Sequence, residues 1–253
     1  MADARPYLVL SGVSPSLTVT LGLPGQVLAH REASAFGRAA EVLAPLVAEV
    51  LVAAGVGVAD LAGLACVRGP GSFTGIRVVL ATALGMAAGS GVPLAGLDHL
   101  PLLAATAARH ATGAIVALTY ARAEQLYVQS FLADDGLAPM GRPAALSVAG
   151  AVAKVAEAAA VGPMCLIGDG VSRYREALLA VAPQATLFGP AGDAPAPEVL
   201  VAAAGKAVYG RQPVEPLYLR ASDAEDNLAA IAAGRGLAPD VAQDRLRQAM
   251  VRL

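Results

Sequence analysis

The hydrophobic pattern in the first half of the chain predicts three short strands, followed by helices that alternate with strands. Closely spaced turn signals such as Pro24-Gly25 divide the opening strands into a β-meander. Apolar residues then recur at helical spacing over 37–54, where Pro45 requires a kink or a later start. The predicted elements are strands at 7–10, 17–23 and 26–31, a helix at 37–54, a strand at 61–67, a turn at 68–75, a helix at 76–88, a strand at 93–97 and a helix to residue 110.

The second half repeats this alternation after a predicted hairpin, and Ser147 is the expected N-cap of its first helix. The predicted elements are strands at 114–119 and 125–132, a helix at 147–160, a strand at 164–167, a helix at 174–181, a loop at 183–197, a helix at 197–209 and a strand at 215–219. We expect a polar segment at 224–236 and a terminal amphipathic helix at 239–252.

Two α/β halves, the first opened by three strands, predict a duplicated α/β fold. This order is similar to the actin/Hsp70/sugar-kinase architecture, in which a nucleotide lies between the halves. The competing interpretation is a single flavodoxin-like sheet, because that fold also alternates helices with strands.

An uncharged stretch from Val78 to Leu97 raises the question of a membrane span, since about 20 apolar residues can cross a bilayer. Glycine, serine and proline residues interrupt the stretch, so a buried helix, a turn and a strand are the better interpretation. No secretory signal is visible near Asp3. We therefore expect a cytoplasmic protein that makes no membrane contact.

Composition excludes several classes of protein. The chain has 253 residues, which suits one large domain or two small ones, and 56% apolar against 15% charged residues excludes intrinsic disorder. A net charge of −2 argues against broad electrostatic binding of nucleic acid. Two cysteines do not make a disulfide scaffold, and Cys66, in an apolar run, is expected to be a buried small hydrophobe rather than a nucleophile.

The segment Arg68-Gly69-Pro70-Gly71-Ser72-Phe73-Thr74-Gly75-Ile76-Arg77 follows a predicted strand and opens a predicted helix. Backbone N–H groups at a helix N-terminus can hold an anion, and the two arginines add positive charge. No Lys-Ser/Thr follows the last glycine, so the segment is not a P-loop. The residues of a candidate anion or nucleotide loop are Arg68, Gly69, Gly71, Ser72, Thr74, Gly75, Arg77 and, from the second half, Asp169. The alternative is a structural turn, in which Ser72 or Thr74 caps the helix and Asp169 is an ordinary turn residue.

The same segment resembles the GPGSFTGxR signature of the TsaB (YeaZ) family, within the TsaD/Kae/M22 glycoprotease-like superfamily. Further matching elements follow in order: the helix with Pro45, Ala121-Arg122 followed by Leu126-Tyr127, and Glu215-Pro216-Leu217-Tyr218-Leu219-Arg220. The resemblance implies an actin/Hsp70-like (ASKHA) fold, with subdomains at 1–110 and 111–220 and a variable tail at 221–253.

The resemblance also implies a function, namely a non-catalytic subunit in threonylcarbamoyl transfer to adenosine 37 of tRNAs that read ANN codons. The implied partners are a TsaD-like catalytic paralogue, a TsaE-like ATPase, a second copy of the chain when alone, and tRNA only through the complex. No cofactor is expected to bind this chain by itself. The resemblance allows ATP or ADP to bind only at the interface with the partner. The implied interface consists of helices 37–54 and 73–89, with candidate residues Val42, Leu46, Phe73, Ile76, Leu80 and Leu84. The alternative is that helix 73–89 is buried between the sheet and a neighbour.

Three positions depart from the family pattern. Ser11 stands where the family commonly has an Asp at the end of the first strand. Ala39 stands where the family commonly has a His, and Tyr120 where it commonly has an Asp. In ATPases of this fold, the first-strand Asp holds metal-bound water near the phosphates, so nucleotide hydrolysis is hard to assemble here. The three histidines lack the His-x-x-x-His spacing of the catalytic relative, so we expect no catalytic residue and no metal site. Two alternatives remain: an M22 peptidase-like ATPase, and a self-dimerising paralogue outside the tRNA pathway.

Overall fold

The opening strands form the predicted meander, which is one edge of a five-stranded sheet ordered β3-β2-β1-β4-β5. The strands are β1 (Tyr7–Ser11), β2 (Ser16–Leu23), β3 (Gln26–Ser34), β4 (Gly63–Gly69) and β5 (Leu94–Asp98). β1, β2 and β3 pair antiparallel, whereas β4 and β5 extend the sheet in parallel. This first sheet belongs to a compact unit, Met1–Leu219. The structure describes residues 5–35, 37–220 and 232 of the chain.

A second sheet, ordered β11-β10-β6-β7-β8, follows in the chain, and β9 also pairs with β7. Its strands are β6 (Gly113–Arg122), β7 (Gln125–Ala133), β8 (Leu137–Pro139), β9 (Ala144–Ser147), β10 (Met164–Ile167) and β11 (Thr186–Leu187). Two separate sheets confirm the duplicated α/β fold and make the single-sheet interpretation wrong. β8, β9 and β11 were not predicted, because they are short and lack the continuous, fully buried apolar run that identifies the similarly short β10.

Seven helices lie in the described part of the chain: α1 (Ala39–Ala54), α2 (Phe73–Ser90), α3 (His99–Ala107), α4 (Val148–Ala159), α5 (Asp169–Arg173), α6 (Arg175–Val181) and α7 (Pro197–Lys206). α1 contains Pro45, begins two residues after the predicted start and ends at Gly55 in a left-handed cap, φ 65°. Ser147 caps α4 as predicted, because its Oγ accepts a hydrogen bond from the Gly150 N–H at 3.2 Å.

Both faces of each sheet are covered by helices. On the first sheet, Leu8 and Leu10 of β1 pack with α1 and α2, while Val9 points to the opposite face, against α7. On the second sheet, one face packs with α4 and α6 and the other with α3. α7 therefore returns to the first sheet although it follows the second in the chain.

The strand expected at 215–219 does not form, and these residues take part in no strand pairing. The expected polar segment 224–236, apart from residue 232, and the terminal helix 239–252 lie outside the described residues, in a second unit, Arg220–Leu253. The subdomain division at residue 110 stays a prediction.

His99 gives the fold a pH dependence. Its side chain is buried, burial lowers its pKa to about 4, and its Nδ1 has no hydrogen-bond partner among the described residues. Because this pKa lies below the ordinary value of 6.5, the unfolded chain takes up the proton first as the pH falls. His99 therefore destabilises the folded chain progressively between about pH 6.5 and pH 4.

We expect the free energy of unfolding to fall by about 2 kcal/mol more between about pH 7.5 and pH 5 in the wild type than in His99→Asn. Urea titrations at several pH values measure this difference. His110→Asn, at an exposed position after α3, is the control and should keep the wild-type slope. Equal slopes for His99→Asn and the wild type would contradict the assignment.

Candidate functional site

The Gly-rich turn joins β4 to α2, and Ser72 is the residue that caps the helix. Its Oγ accepts a hydrogen bond from the Gly75 N–H at 3.2 Å, and its own N–H donates to the Val13 carbonyl at 2.8 Å. α2 therefore begins at Phe73, three residues before the predicted start at Ile76. Two N–H donors of the turn are thus used within the protein.

Replacing Ser72 with alanine is expected to lower the free energy of unfolding by about 1 kcal/mol, because the Gly75 N–H loses its acceptor. Chemical denaturation measures the effect. Thr74→Ala is the matched control, since Thr74 is exposed and makes no described hydrogen bond, and it should be nearly neutral. If both variants were equally stable, Ser72 would not be the cap.

Close backbone approaches explain the glycines of the turn. A Cβ on Gly75 would overlap the carbonyl oxygen of Gly12, and a Cβ on Gly71 would overlap that of Val13. Gly69 has φ 124°, a conformation that favours glycine, and a Cβ there would lie 2.6 Å from the Leu217 carbonyl oxygen. The turn is therefore packed tightly between the loop after β1 and the segment 215–219.

Arg68 and Arg77, the two positively charged residues of the turn, both interact with other groups of the protein. Arg68 Nε lies 2.6 Å from Asp98 Oδ1 at the end of β5. The Arg77 guanidinium lies 3.9 Å from the centre of the Phe73 ring, and its Nε donates to the Tyr218 hydroxyl at 3.2 Å. An anion site at this turn stays a prediction, and it would require these arginines to exchange partners.

Two of the sequence elements that carry the family resemblance, the Gly-rich turn and the segment 215–219, meet in space. The Leu217 N–H donates to the Arg68 carbonyl at 2.8 Å, and the Tyr218 ring lies 5.1 Å from that of Phe73. The segment 215–219 thus fastens the C-terminal end of the compact unit onto the start of α2. Nothing in the spacing of residues along the chain indicated this contact.

Asp169 is the first residue of α5 rather than part of a closing turn. Its Oδ1 accepts a hydrogen bond from the Tyr120 N–H at 2.8 Å. Burial raises the pKa of Asp169, and this hydrogen bond opposes the rise. The Arg173 guanidinium lies 3.9 Å from the Tyr120 ring centre. Asp169 thus ties the end of β6 to α5, and a phosphate-binding role for it stays a prediction.

The other departures from the family pattern lie at the ends of their elements. Ser11 is the buried last residue of β1, and Ala39 is the first residue of α1. Within the described ranges, no three or more His, Cys, Asp or Glu side chains are grouped so that they could hold a metal ion. Cys66 is fully buried as predicted, and burial raises its pKa to about 12.

α2 buries one face and leaves the other open, so the expectation of a buried helix is only half correct. The inner residues are Gly75, Ile76, Val79 and Ala83. The outer stripe consists of Ala81, Leu84, Gly85 and Ala88, with 40% of Leu84 exposed. By length and composition alone, α2 is the one helix in the described part that could cross a membrane, yet its inner face packs in the core of the first sheet.

α1 contacts α2 and carries a similar outer stripe, formed by Ala44, Pro45, Ala48 and Val52, with 80% of Val52 exposed. We call the outer stripes of both helices the α1–α2 face. Among the predicted interface residues, Leu84 is exposed, and Val42, Phe73 and Leu80 are half-buried. Leu46 and Ile76 are buried, at 6% and 0% exposure, because both point into the chain's own core, so neither lies on this face.

Comparison with known proteins gives a family match across most of the chain. Residues 34–227 match the model of the TsaD family, tRNA N6-adenosine threonylcarbamoyltransferase. The chain is 31% identical to the tRNA threonylcarbamoyladenosine biosynthesis protein TsaB of Escherichia coli (strain K12) over 129 residues, which is 51% of this chain and 55% of that protein. It is 46% identical to the tRNA N6-adenosine threonylcarbamoyltransferase of Maricaulis maris (strain MCS10) over 61 residues, 24% of this chain and 16% of that protein. The chain thus spans about half, or less, of these curated relatives.

Two solved structures from Pseudomonas aeruginosa have the same architecture. One is described as an uncharacterized protein with similarity to peptidase YeaZ, with a TM-score of 0.68 and 24% identity, and the other is YeaZ, with a TM-score of 0.67 and 23% identity. Each comparison covers 85% of this chain and 99% of the other. Together with the two-sheet topology, this likeness confirms the predicted ASKHA-like fold.

Proposed function

Because its residues 34–227 match the family model, the chain belongs to the TsaD (tRNA N6-adenosine threonylcarbamoyltransferase) family, and we propose that it is a non-catalytic subunit in the synthesis of threonylcarbamoyladenosine in tRNA. The resemblance to TsaB (YeaZ) predicted from the sequence is confirmed by the Escherichia coli relative and the Pseudomonas aeruginosa structures. TsaB of Escherichia coli is named for the biosynthesis of threonylcarbamoyladenosine. The proposed reaction is therefore the transfer of a threonylcarbamoyl group to adenosine.

The α1–α2 face is the observation that carries a partner role. Most of its exposed residues are small or aliphatic, including Leu84 and Val52, and no described element of this chain covers them. Exposed Glu41 continues the stripe of α1 and exposed Glu49 flanks it, each within 4.0 Å of an arginine of this chain. Alanine and glycine at helical spacing let a second helix approach closely, and exposed aliphatic side chains lose water when it does. This face therefore suits a helical partner rather than a charged polymer.

A TsaD-like catalytic paralogue is the partner that fits this face best. A paralogue of the same fold presents two equivalent helices, so the two chains can pack pseudo-symmetrically, helix pair against helix pair. A TsaE-like ATPase would join this pair, ATP or ADP would bind at the interface, and tRNA would be held by the complex. A second copy of the chain would occupy the face when the paralogue is absent.

The assignment as a non-catalytic subunit rests on the end of β1. Ser11 stands there, and a hydroxyl does not hold metal-bound water beside phosphates as a carboxylate does. In the second half, the Asp169 Oδ1 accepts a hydrogen bond from the Tyr120 N–H, which ties this carboxylate to β6. The catalytic groups of the transfer would therefore belong to the paralogue.

Complementation tests the proposal. The chain is expressed in a bacterial strain depleted of its own TsaB, and threonylcarbamoyladenosine in bulk tRNA is measured by mass spectrometry. We expect the modified nucleoside to return with the wild type and with the control Val208→Arg, at an exposed position after α7. If the wild type is expressed and folded but the nucleoside does not return, the chain acts outside the tRNA pathway.

A further inference from the structure

A cavity of about 400 Å³ lies on the second sheet, away from the α1–α2 face. β8 pairs with residues 131–133 of β7, and β9 pairs with residues 125–128, so a gap remains at Gln129 and Ser130. The cavity opens at this gap, and α4 forms its other wall. Its volume falls within the range of small-molecule sites, roughly 300–1,000 Å³.

Gln129 belongs to the strand that borders the cavity, and its side chain lies on the α3 side of β7, in line with Tyr127 and Phe131. Its side chain is 7% exposed, and its Nε2 donates to the Gly141 carbonyl at 2.9 Å. Its Oε1 is buried and accepts no hydrogen bond from any described residue. Gln129 also holds the loop at 140–142 over the cavity.

The charges around the cavity favour one anionic group. Arg142, on that loop, is exposed and forms no ion pair or hydrogen bond with the described residues. Lys154 and Glu157 of α4 form an ion pair of 2.5 Å on the opposite rim. The pair is neutral as a whole, so the lining carries a net charge of about +1, from Arg142.

The remaining lining is apolar and unusually open to solvent. Met140 is 48% exposed and Val161 is 69% exposed, and half-buried Leu146 of β9 belongs to the same lining. Met140 adapts its shape to different apolar groups because its side chain is unbranched. A ligand with an aliphatic body would cover these three side chains.

We propose that this cavity binds a small organic monoanion, with its carboxylate on Arg142 and its aliphatic body over Met140, Leu146 and Val161. The Gln129 side chain, which donates to the Gly141 carbonyl, would report a shift of the loop at 140–142. The site uses no residue of the α1–α2 face, so it does not depend on the proposed docking function.

Octanoate is a suitable probe, tested on the full chain by NMR with isotope-labelled protein. We expect the Gln129 side-chain amide and the backbone signals of residues 140–142 to shift on titration. Acetate, which lacks the aliphatic body, and 1-octanol, which lacks the charge, should each bind roughly tenfold more weakly or worse.

Arg142→Gln should weaken octanoate binding roughly tenfold, because it removes the charge while retaining a side chain of similar length. Arg211→Gln, at another exposed arginine without a described partner, is the matched control and should bind as the wild type does. Met140→Ala, at an exposed position, should weaken binding about threefold. Unchanged affinity in Arg142→Gln, or shifts centred on α1 and α2 instead of Gln129, would overturn the proposal.

Discussion

Gly75→Ala is expected to lower the free energy of unfolding by about 3 kcal/mol or more. The added Cβ would overlap the carbonyl oxygen of Gly12, which is backbone and has no rotamer through which to move away. The loop after β1 and the start of α2 would have to separate, which would also break the hydrogen bond from the Ser72 N–H to the Val13 carbonyl. Urea denaturation followed by circular dichroism measures this effect.

Gly85→Ala is the matched control on the same helix. A Cβ at Gly85 meets no atom within 4 Å, so the substitution adds helix propensity without a clash. We expect it to raise the free energy of unfolding by about 0.5–1 kcal/mol. If Gly75→Ala were as well tolerated as Gly85→Ala, the Gly-rich turn would not be packed tightly against the loop after β1.

Leu84→Arg is expected to weaken binding of the TsaD-like paralogue about a hundredfold, while leaving the chain folded. A long charged side chain at the centre of the outer stripe of α2 would have to be buried without a partner when two helices pack closely. Leu84 is 40% exposed in the free chain, so the substitution has little effect on folding. Isothermal titration calorimetry with the paralogue from the same organism measures the affinity.

Val208→Arg introduces the same charge at an exposed valine beyond α7, which packs on the opposite face of the first sheet from α1. It should bind the paralogue with wild-type affinity. Wild-type affinity in Leu84→Arg as well would show that α2 is not part of the docking surface.

The periodic elements of this fold could be predicted from the sequence, whereas its tertiary contacts could not. Long apolar runs identify β1, β4, β6, β10 and the helices, because burial on one or two faces leaves a regular pattern. β9 has four residues and β11 has two, so their pairing depends on neighbouring strands rather than on their own pattern. The same limit applies to the segment 215–219, whose apolar residues pack on the Gly-rich turn instead of joining a sheet.

Only part of the candidate site follows from the sequence. Residue type and spacing predict the Gly-rich turn but leave Ser72 and Thr74 as alternative caps, and Leu84 is an interface candidate through the family resemblance. The partners of Arg68 and Arg77 do not follow from the sequence, since Asp98 and Tyr218 lie 30 and 141 residues away along the chain. The glycines of the turn suggested an anion-binding loop, but in the structure they allow backbone segments to approach closely. A sequence pattern alone does not distinguish these two reasons for a glycine.

Hydrogen–deuterium exchange on the chain with and without its TsaD-like paralogue tests the central claim most directly. We expect the backbone amides of α1 and α2 to exchange more slowly in the complex, with the strongest protection around residues 44–52 and 81–88. We expect α4 and the second sheet to exchange as they do in the free chain. Protection confined to other elements, or no protection when the paralogue is present in excess, would contradict the claim that this chain docks through the α1–α2 face.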